Sequence, residues 1–226
     1  MKDLFRDKSA LWSAAPYILW MAMMFTMEKS AFAYSLQTLV AGAVLVAGLF
    51  YLIRKKVLRL SVDCRTIGWG IFAGVAVFIL WVAMELVPWF SWRIWGEGIY
   101  RAAEKAAGDF APEHCGWSLT ALKAFGSALV IAPAEELFFR FFLYRRLQSA
   151  AWSEVPERRF DSTAFVWMTV LFALEHDPRF LAGAMAGAVY GAVTMTRGIG
   201  AAIVAHVVTN GLLGAYVIHT GQWGFW

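Results

Sequence analysis

The sequence predicts an all-α, polytopic integral membrane bundle of about seven to eight transmembrane helices, built as one domain over residues 1–226. The first observation is composition. The 226 residues are 60% hydrophobic and 16% charged, and the mean hydropathy is +0.58. Soluble domains run about 45–50% apolar and about 25% charged. A disordered chain, a disulfide scaffold and most soluble enzymes are thereby excluded. The second observation is patterning. Apolar runs cover roughly 10–27, 36–53, 67–89, 119–143, 163–175, 181–195 and 199–218, and about 20 residues suffice for one span. None alternates as the strands of a membrane barrel do. The third is the distribution of positive charge. The net charge of +4 reads as Lys and Arg facing anionic headgroups, so the partners expected are membrane lipid and no nucleic acid.

The elements follow in order. Lys2, Arg6 and Lys8 precede the first run, and Ala31-Phe32-Ala33 mimics a signal-peptidase site. The run is longer than a usual signal core, and Glu28 and Lys29 separate it from the alanines. An uncleaved first span is therefore expected. The fifth run, 163–175, is short for a full crossing and requires tilt or extension at its start. The stretch 90–117 mixes Trp92, Trp95, Ile99 and Tyr100 with Arg93, Glu97, Arg101, Glu104 and Lys105. It reads as a helix in the headgroup zone, an ordered outer loop, or the place of an eighth helix. Gly183, Gly187 and Gly191 recur every fourth residue, a spacing that lets helices approach closely within one molecule.

Orientation follows from the loops. With the N-terminus cytoplasmic, the inner segments hold Lys2, Arg6, Lys8, Arg54, Lys55, Lys56, Arg59, Arg65, Arg145, Arg146, Arg158, Arg159 and Arg197. The outer segments hold only Lys29, Arg93, Arg101, Lys105 and Arg179. Seven spans then place the C-terminus outside. Cys64 and Cys115 fall on opposite sides, so no disulfide joins them, and no Cys-x-x-Cys motif occurs.

Chemistry concentrates in three places. The fourth run contains Glu135 and Glu136, with Arg140 four residues after Glu136. A charge inside a spanning helix costs about 2.5–3.5 kcal/mol even on the lenient insertion scale, so intramembrane carboxylates mark functional sites. Glu136 and Arg140 share a helix face and form an i,i+4 pair. Glu135 points about 100° away and is left to face a water-filled cavity, where it suits a general base. The bland alternative is a cytoplasmic helix end marked by Arg140, Arg145 and Arg146. The fifth run ends Phe172-Ala173-Leu174-Glu175-His176, and the last contains His206 and Asn210 on one face. A carboxylate, two imidazoles and a carboxamide are the parts needed to activate water and stabilise an oxyanion. Glu135, His176 and His206 are equally the parts of an open zinc site. His114 and His219 read as exposed outer residues.

The ordered trio Glu135-Glu136-x-x-x-Arg140, Phe172-x-x-x-His176 and His206-x-x-x-Asn210 resembles the CAAX protease and bacteriocin-processing family of intramembrane glutamate endopeptidases. The resemblance covers about residues 118–218, a motif-bearing catalytic core. It implies an all-α fold with a polar cavity inside the membrane, and hydrolysis of a peptide bond near the C-terminus of a membrane-anchored protein or peptide. It further implies that Glu135 with His176 activates water, that His206 and Asn210 bind the oxyanion, and that Glu136 and Arg140 support the motif. A mechanism requiring no cofactor is favoured over zinc held by Glu135, His176 and His206, because Asn210 is a poor zinc ligand but a good oxyanion donor. The compact chain leads to the expectation of a bacterial inner membrane. A non-catalytic scaffold or bacteriocin-immunity protein and a small proton-coupled carrier are the competing readings. One check is awkward: from the inner boundary, Glu135 and His206 lie roughly 12 Å deep but His176 roughly 20 Å.

Overall fold

The computed structural model describes residues 7–28, 30–60, 63–86, 108–176 and 179–225. Seven long helices run through them: α1 Lys8–Thr26, α2 Ala31–Arg54, α3 Cys64–Leu86, α4 Trp117–Gln148, α5 Ser162–Glu175, α6 Phe180–Arg197 and α7 Ile199–Thr220. No strand occurs among the described residues. By length and composition α2, α3, α4 and α7 are able to cross a membrane, and α5 is a shorter apolar helix. The protein is an integral membrane protein with a helical bundle fold. The expected headgroup helix over 90–117 lies mostly outside the described residues; its end forms only a short turn at Pro112–Cys115.

Polar residues set the helix starts. Asp7 accepts the backbone N–H groups of Ser9 and Ala10, at 2.9 and 3.2 Å. Ser30 accepts from Ala33 at 3.1 Å, and Asp161 from Ala164 at 2.9 Å. Such caps satisfy amides that a helix leaves open. The tripeptide Ala31-Phe32-Ala33 is thus the first turn of α2. Between α6 and α7 the chain turns at Gly198, whose φ of 89° favours a residue without a Cβ.

Cross-helix contacts fix the directions. A Cβ on Gly48 would meet the Trp12 carbonyl at 2.8 Å, while Gln37 donates to the Met23 carbonyl; α1 and α2 are antiparallel. Gly126 packs on Thr38 and Gly42 on Val130, so α4 runs parallel to α2. Gly70 meets Val204, Gly74 meets Val208 and Phe78 meets Tyr216, so α3 runs parallel to α7. Asn210 reaches Ser127 and His206 reaches Glu136, so α4 opposes α7. Gly183, Gly187 and Gly191 lie against His176, Phe172 and Phe165, which makes α5 and α6 antiparallel. The helices therefore alternate in direction, as seven spans require. Apolar side chains such as Phe25, Phe32, Val46 and Phe50 stay exposed on the outside, where lipid replaces water and only intrahelical backbone bonding is stable.

This arrangement puts Cys64 and Cys115 at opposite ends of the bundle, because α3 starts beside the start of α7 and α4 starts beside its end. Both are free thiols. Labelling of intact, oriented vesicles with a membrane-impermeant maleimide is expected to modify Cys115 from outside and Cys64 only after permeabilisation. Modification of both from one side would overturn the alternating topology.

Candidate active site

The site is assembled on α4, and α4 is not a regular helix. Its 32 residues include two π-helical stretches, Ser127–Ile131 and Leu137–Leu143, on either side of Ala132–Glu136. Pro133 has no N–H and crowds the carbonyl four residues back, which widens the preceding turn. The Ala132 amide then bonds to Ser127 O, five residues earlier. Asn210 Nδ2 donates to the same oxygen at 3.1 Å. The irregular backbone thereby seats α7 against α4.

Glu136 lies at the centre. Arg140 Nη1 donates to Glu136 Oε1 at 3.0 Å, and both side chains are 0% exposed. The predicted i,i+4 pair is present and fully buried. Arg140 also donates to the Gly187 carbonyl at 3.3 Å, and its guanidinium carbon lies 4.0 Å from the Phe172 ring centre. A side chain on Gly187 would press on that ring, with a Cβ only 3.1 Å from it. The glycine repeat of α6 therefore makes room for the charged pair.

His206 was expected beside Asn210, with Glu135 and His176 as its partners only in a zinc site; the structure ties it to both glutamates. Its Nδ1 is 2.9 Å from Glu136 Oε1, and its Nε2 is 3.6 Å from Glu135 Oε2. A carboxylate already engaged by Arg140 only accepts, so Nδ1 carries the proton and Nε2 is turned to Glu135. Glu135 follows the predicted division: it lines the cavity, and its Oε2 is buried with no hydrogen-bond partner. His176 forms the C-cap of α5, and its Nδ1 lies 2.7 Å from the Phe172 carbonyl. The carbonyl fixes the proton on Nδ1 and leaves Nε2 as an acceptor.

The depth mismatch closes for two reasons. α4 continues to Gln148, five residues past the end of its apolar run, so Glu135 lies deeper than its run alone implied. The His176 ring also folds back toward Phe172, one helical turn toward the inner end. The result is a cavity of about 510 Å³ whose lining includes Glu135, His176, His206 and Asn210. His114 and His219 are exposed and lie apart from it.

Several lining residues were not anticipated. Tyr190 stacks on His206 with ring centres 4.6 Å apart, and Trp81 meets His176 edge-on at 5.6 Å. Tyr190 had one available signal, a lone aromatic between Gly187 and Gly191; Trp81 had none in an apolar run. Glu175, which is not among the lining residues, carries a buried oxygen with no hydrogen-bond partner and approaches Tyr17 of α1.

The residues present do not fit a zinc centre as placed. Among the described residues no three His, Cys, Asp or Glu side chains converge as a ligand set.

Residues 117–212 match the family model described as Rce1-like, type II CAAX prenyl endopeptidase. Over this segment the chain is similar to the CAAX protease family. The matched residues carry the two glutamates, Arg140, both histidines and Asn210, the polar groups that the sequence motifs single out. No curated protein and no solved structure matches the chain significantly.

Proposed function

We propose that the protein is an intramembrane endopeptidase that hydrolyses a peptide bond near the C-terminus of a membrane-associated protein or peptide, using water activated by Glu135. The observation that carries this reading is the Glu135 carboxylate, buried in the cavity with one oxygen unsatisfied and flanked by His206. Glu135 takes a proton from water as the water oxygen attacks the scissile carbonyl. His176 Nε2 holds that water in place. The carbonyl oxygen gains negative charge and is met by the second Nδ2–H of Asn210 and by the Nε2–H of His206, whose ring takes up a second proton from solvent before the attack. Glu136, through Nδ1, stabilises that imidazolium. Collapse of the intermediate breaks the C–N bond, and the leaving amine takes the proton back from Glu135. Donors fixed in advance around a developing charge are the strongest single contribution available to such a site. The excess of inner Lys and Arg assigns the N-terminus to the cytoplasm.

The test is cleavage of a library of membrane-anchored peptides by purified protein in detergent, with the released C-terminal fragments identified by mass spectrometry. Fragments formed by the wild type and absent with a Glu135 variant support the proposal. Equal fragments from both, or none from any substrate, refute it.

The proposed chemistry needs no metal. EDTA or phenanthroline is therefore expected to leave cleavage nearly intact, and purified active protein to hold far less than one zinc per chain. Stoichiometric zinc that leaves together with activity and restores it on addition would reverse this assignment.

A further inference from the structure

We propose that the ends of α3 and α6 carrying Cys64 and Arg197 form a binding site for the phosphodiester headgroup of an anionic glycerophospholipid, centred on Arg65, Trp69 and Arg197. The site is separate from the cavity. A groove of about 390 Å³ is lined by Arg65, Gly68, Trp69 and Phe72. A Cβ on Gly68 would touch nothing within 4 Å, so the floor of the groove is open. The Arg197 guanidinium carbon, from α6, sits 4.7 Å from the Trp69 ring centre. Phe72 meets Trp69 edge-on at 5.8 Å. Gly70 packs tightly on α7, where a Cβ would sit only 2.7 Å from Val204. This face of α3 cannot rotate, and Trp69 and Phe72 stay outward.

The charge is what points to an anion. Among the described residues the ion pairs lie elsewhere, and neither Arg65 nor Arg197 has a carboxylate within reach. The nearest acid in sequence, Asp63, is taken up by the Thr66 amide at 2.9 Å and the Thr66 hydroxyl at 3.0 Å. Those bonds hold its carboxyl below the usual range. Glu157, on the adjoining loop, accepts from the Ile199 amide. The Arg197 guanidinium thus sits by an exposed indole, Arg65 lines the same groove, and among the described residues neither arginine has a carboxylate within 4 Å. Arginine binds phosphate oxygens in a bidentate fork, tryptophan favours the headgroup level, and basic pockets between helices take lipid headgroups. Phe72 lies about one helical turn beyond Trp69 along α3, toward the membrane interior, where an acyl chain continues from the glycerol. That apolar continuation selects a lipid over free phosphate.

The experiment uses the full chain in detergent with defined amounts of phosphatidylglycerol, phosphatidylcholine or inorganic phosphate. Bound lipid is read by native mass spectrometry and stability by melting. Wild type is expected to retain one phosphatidylglycerol per chain and to melt higher with it, but not with the other two. Arg65→Gln/Arg197→Gln should bind it roughly 30-fold more weakly, while melting as wild type without added lipid. Arg59→Gln, a basic residue of the same end, should bind as wild type. Equal retention by the double variant, an equal loss in Arg59→Gln, or equal stabilisation by inorganic phosphate would each overturn the site. Should the double variant melt lower without lipid, Arg197→Lys decides: it keeps the charge but lacks the bidentate fork, and unchanged lipid binding there refutes the site.

Discussion

Replacing Glu135 with glutamine is expected to abolish peptide cleavage and leave the protein folded. The amide keeps the size of the carboxylate but cannot take a proton from water. A positioned general base is worth about 10²–10⁴ in rate, so cleavage should fall by roughly a thousandfold. Stability should hold or rise, for a local reason. Arg140 is bonded to Glu136 and not to Glu135, and Glu135 Oε2 has no hydrogen-bond partner. Removing the Glu135 charge therefore orphans no cation and relieves an unpaired buried carboxylate. The measurement is fragment release by mass spectrometry beside a melting curve of the same preparation. Turnover near wild type would remove Glu135 from the chemistry; a lower melting point would show that its charge is structural.

The second large effect is on stability. Arg140→Ala should cost about 3–5 kcal/mol, the usual penalty for breaking a buried pair by deleting one partner. Glu136 would remain 0% exposed with its cation gone. The Gly187 carbonyl would lose its donor and the Phe172 ring its guanidinium. Expression and melting point should drop together, and cleavage with them. A repair variant, Glu136→Gln/Arg140→Met, separates the causes. It removes both charges and fills the space, so stability should return. Cleavage should not, because His206 Nδ1 would face a neutral amide instead of a carboxylate. Normal melting of Arg140→Ala would show that the pair contributes little to the fold.

Much of the fold was legible because lipid imposes one simple rule. Every backbone amide must be paired inside its own helix, so apolar runs map onto helices nearly residue for residue. The run 199–218 became Ile199–Thr220 and 181–195 became Phe180–Arg197. The Glu136–Arg140 pair was legible for a similar reason: i,i+4 neighbours are fixed by the helix itself. The hidden features are those that depend on which helix lies opposite. Nothing around His206 announces that its ring reaches across to Glu136 on α4. Trp81 looks like any lipid-facing aromatic until α3 is placed beside His176. The π stretches of α4 also escaped, although Pro133 was visible, because a proline tells where a helix is disturbed but not how the ladder shifts. The depth error arose because α4 was ended where its apolar residues stop, whereas a helix continues through Tyr144, Arg145 and Arg146.

The early stop of α5 carries a consequence for the surrounding bilayer. Its 14 residues make about 21 Å of helix, against about 30 Å of hydrocarbon. Val166, Trp167 and Leu174 on its outer face are exposed, so lipid tails meet this short wall directly. Beyond its end, Glu85 and Arg179 lie 3.7 Å apart. A bilayer relieves such mismatch by thinning beside the short element, at fractions of a kcal/mol per Å. A bilayer is therefore expected to thin beside α5, which would make the site's distance from water depend jointly on the protein and on the chain length of the lipids around it.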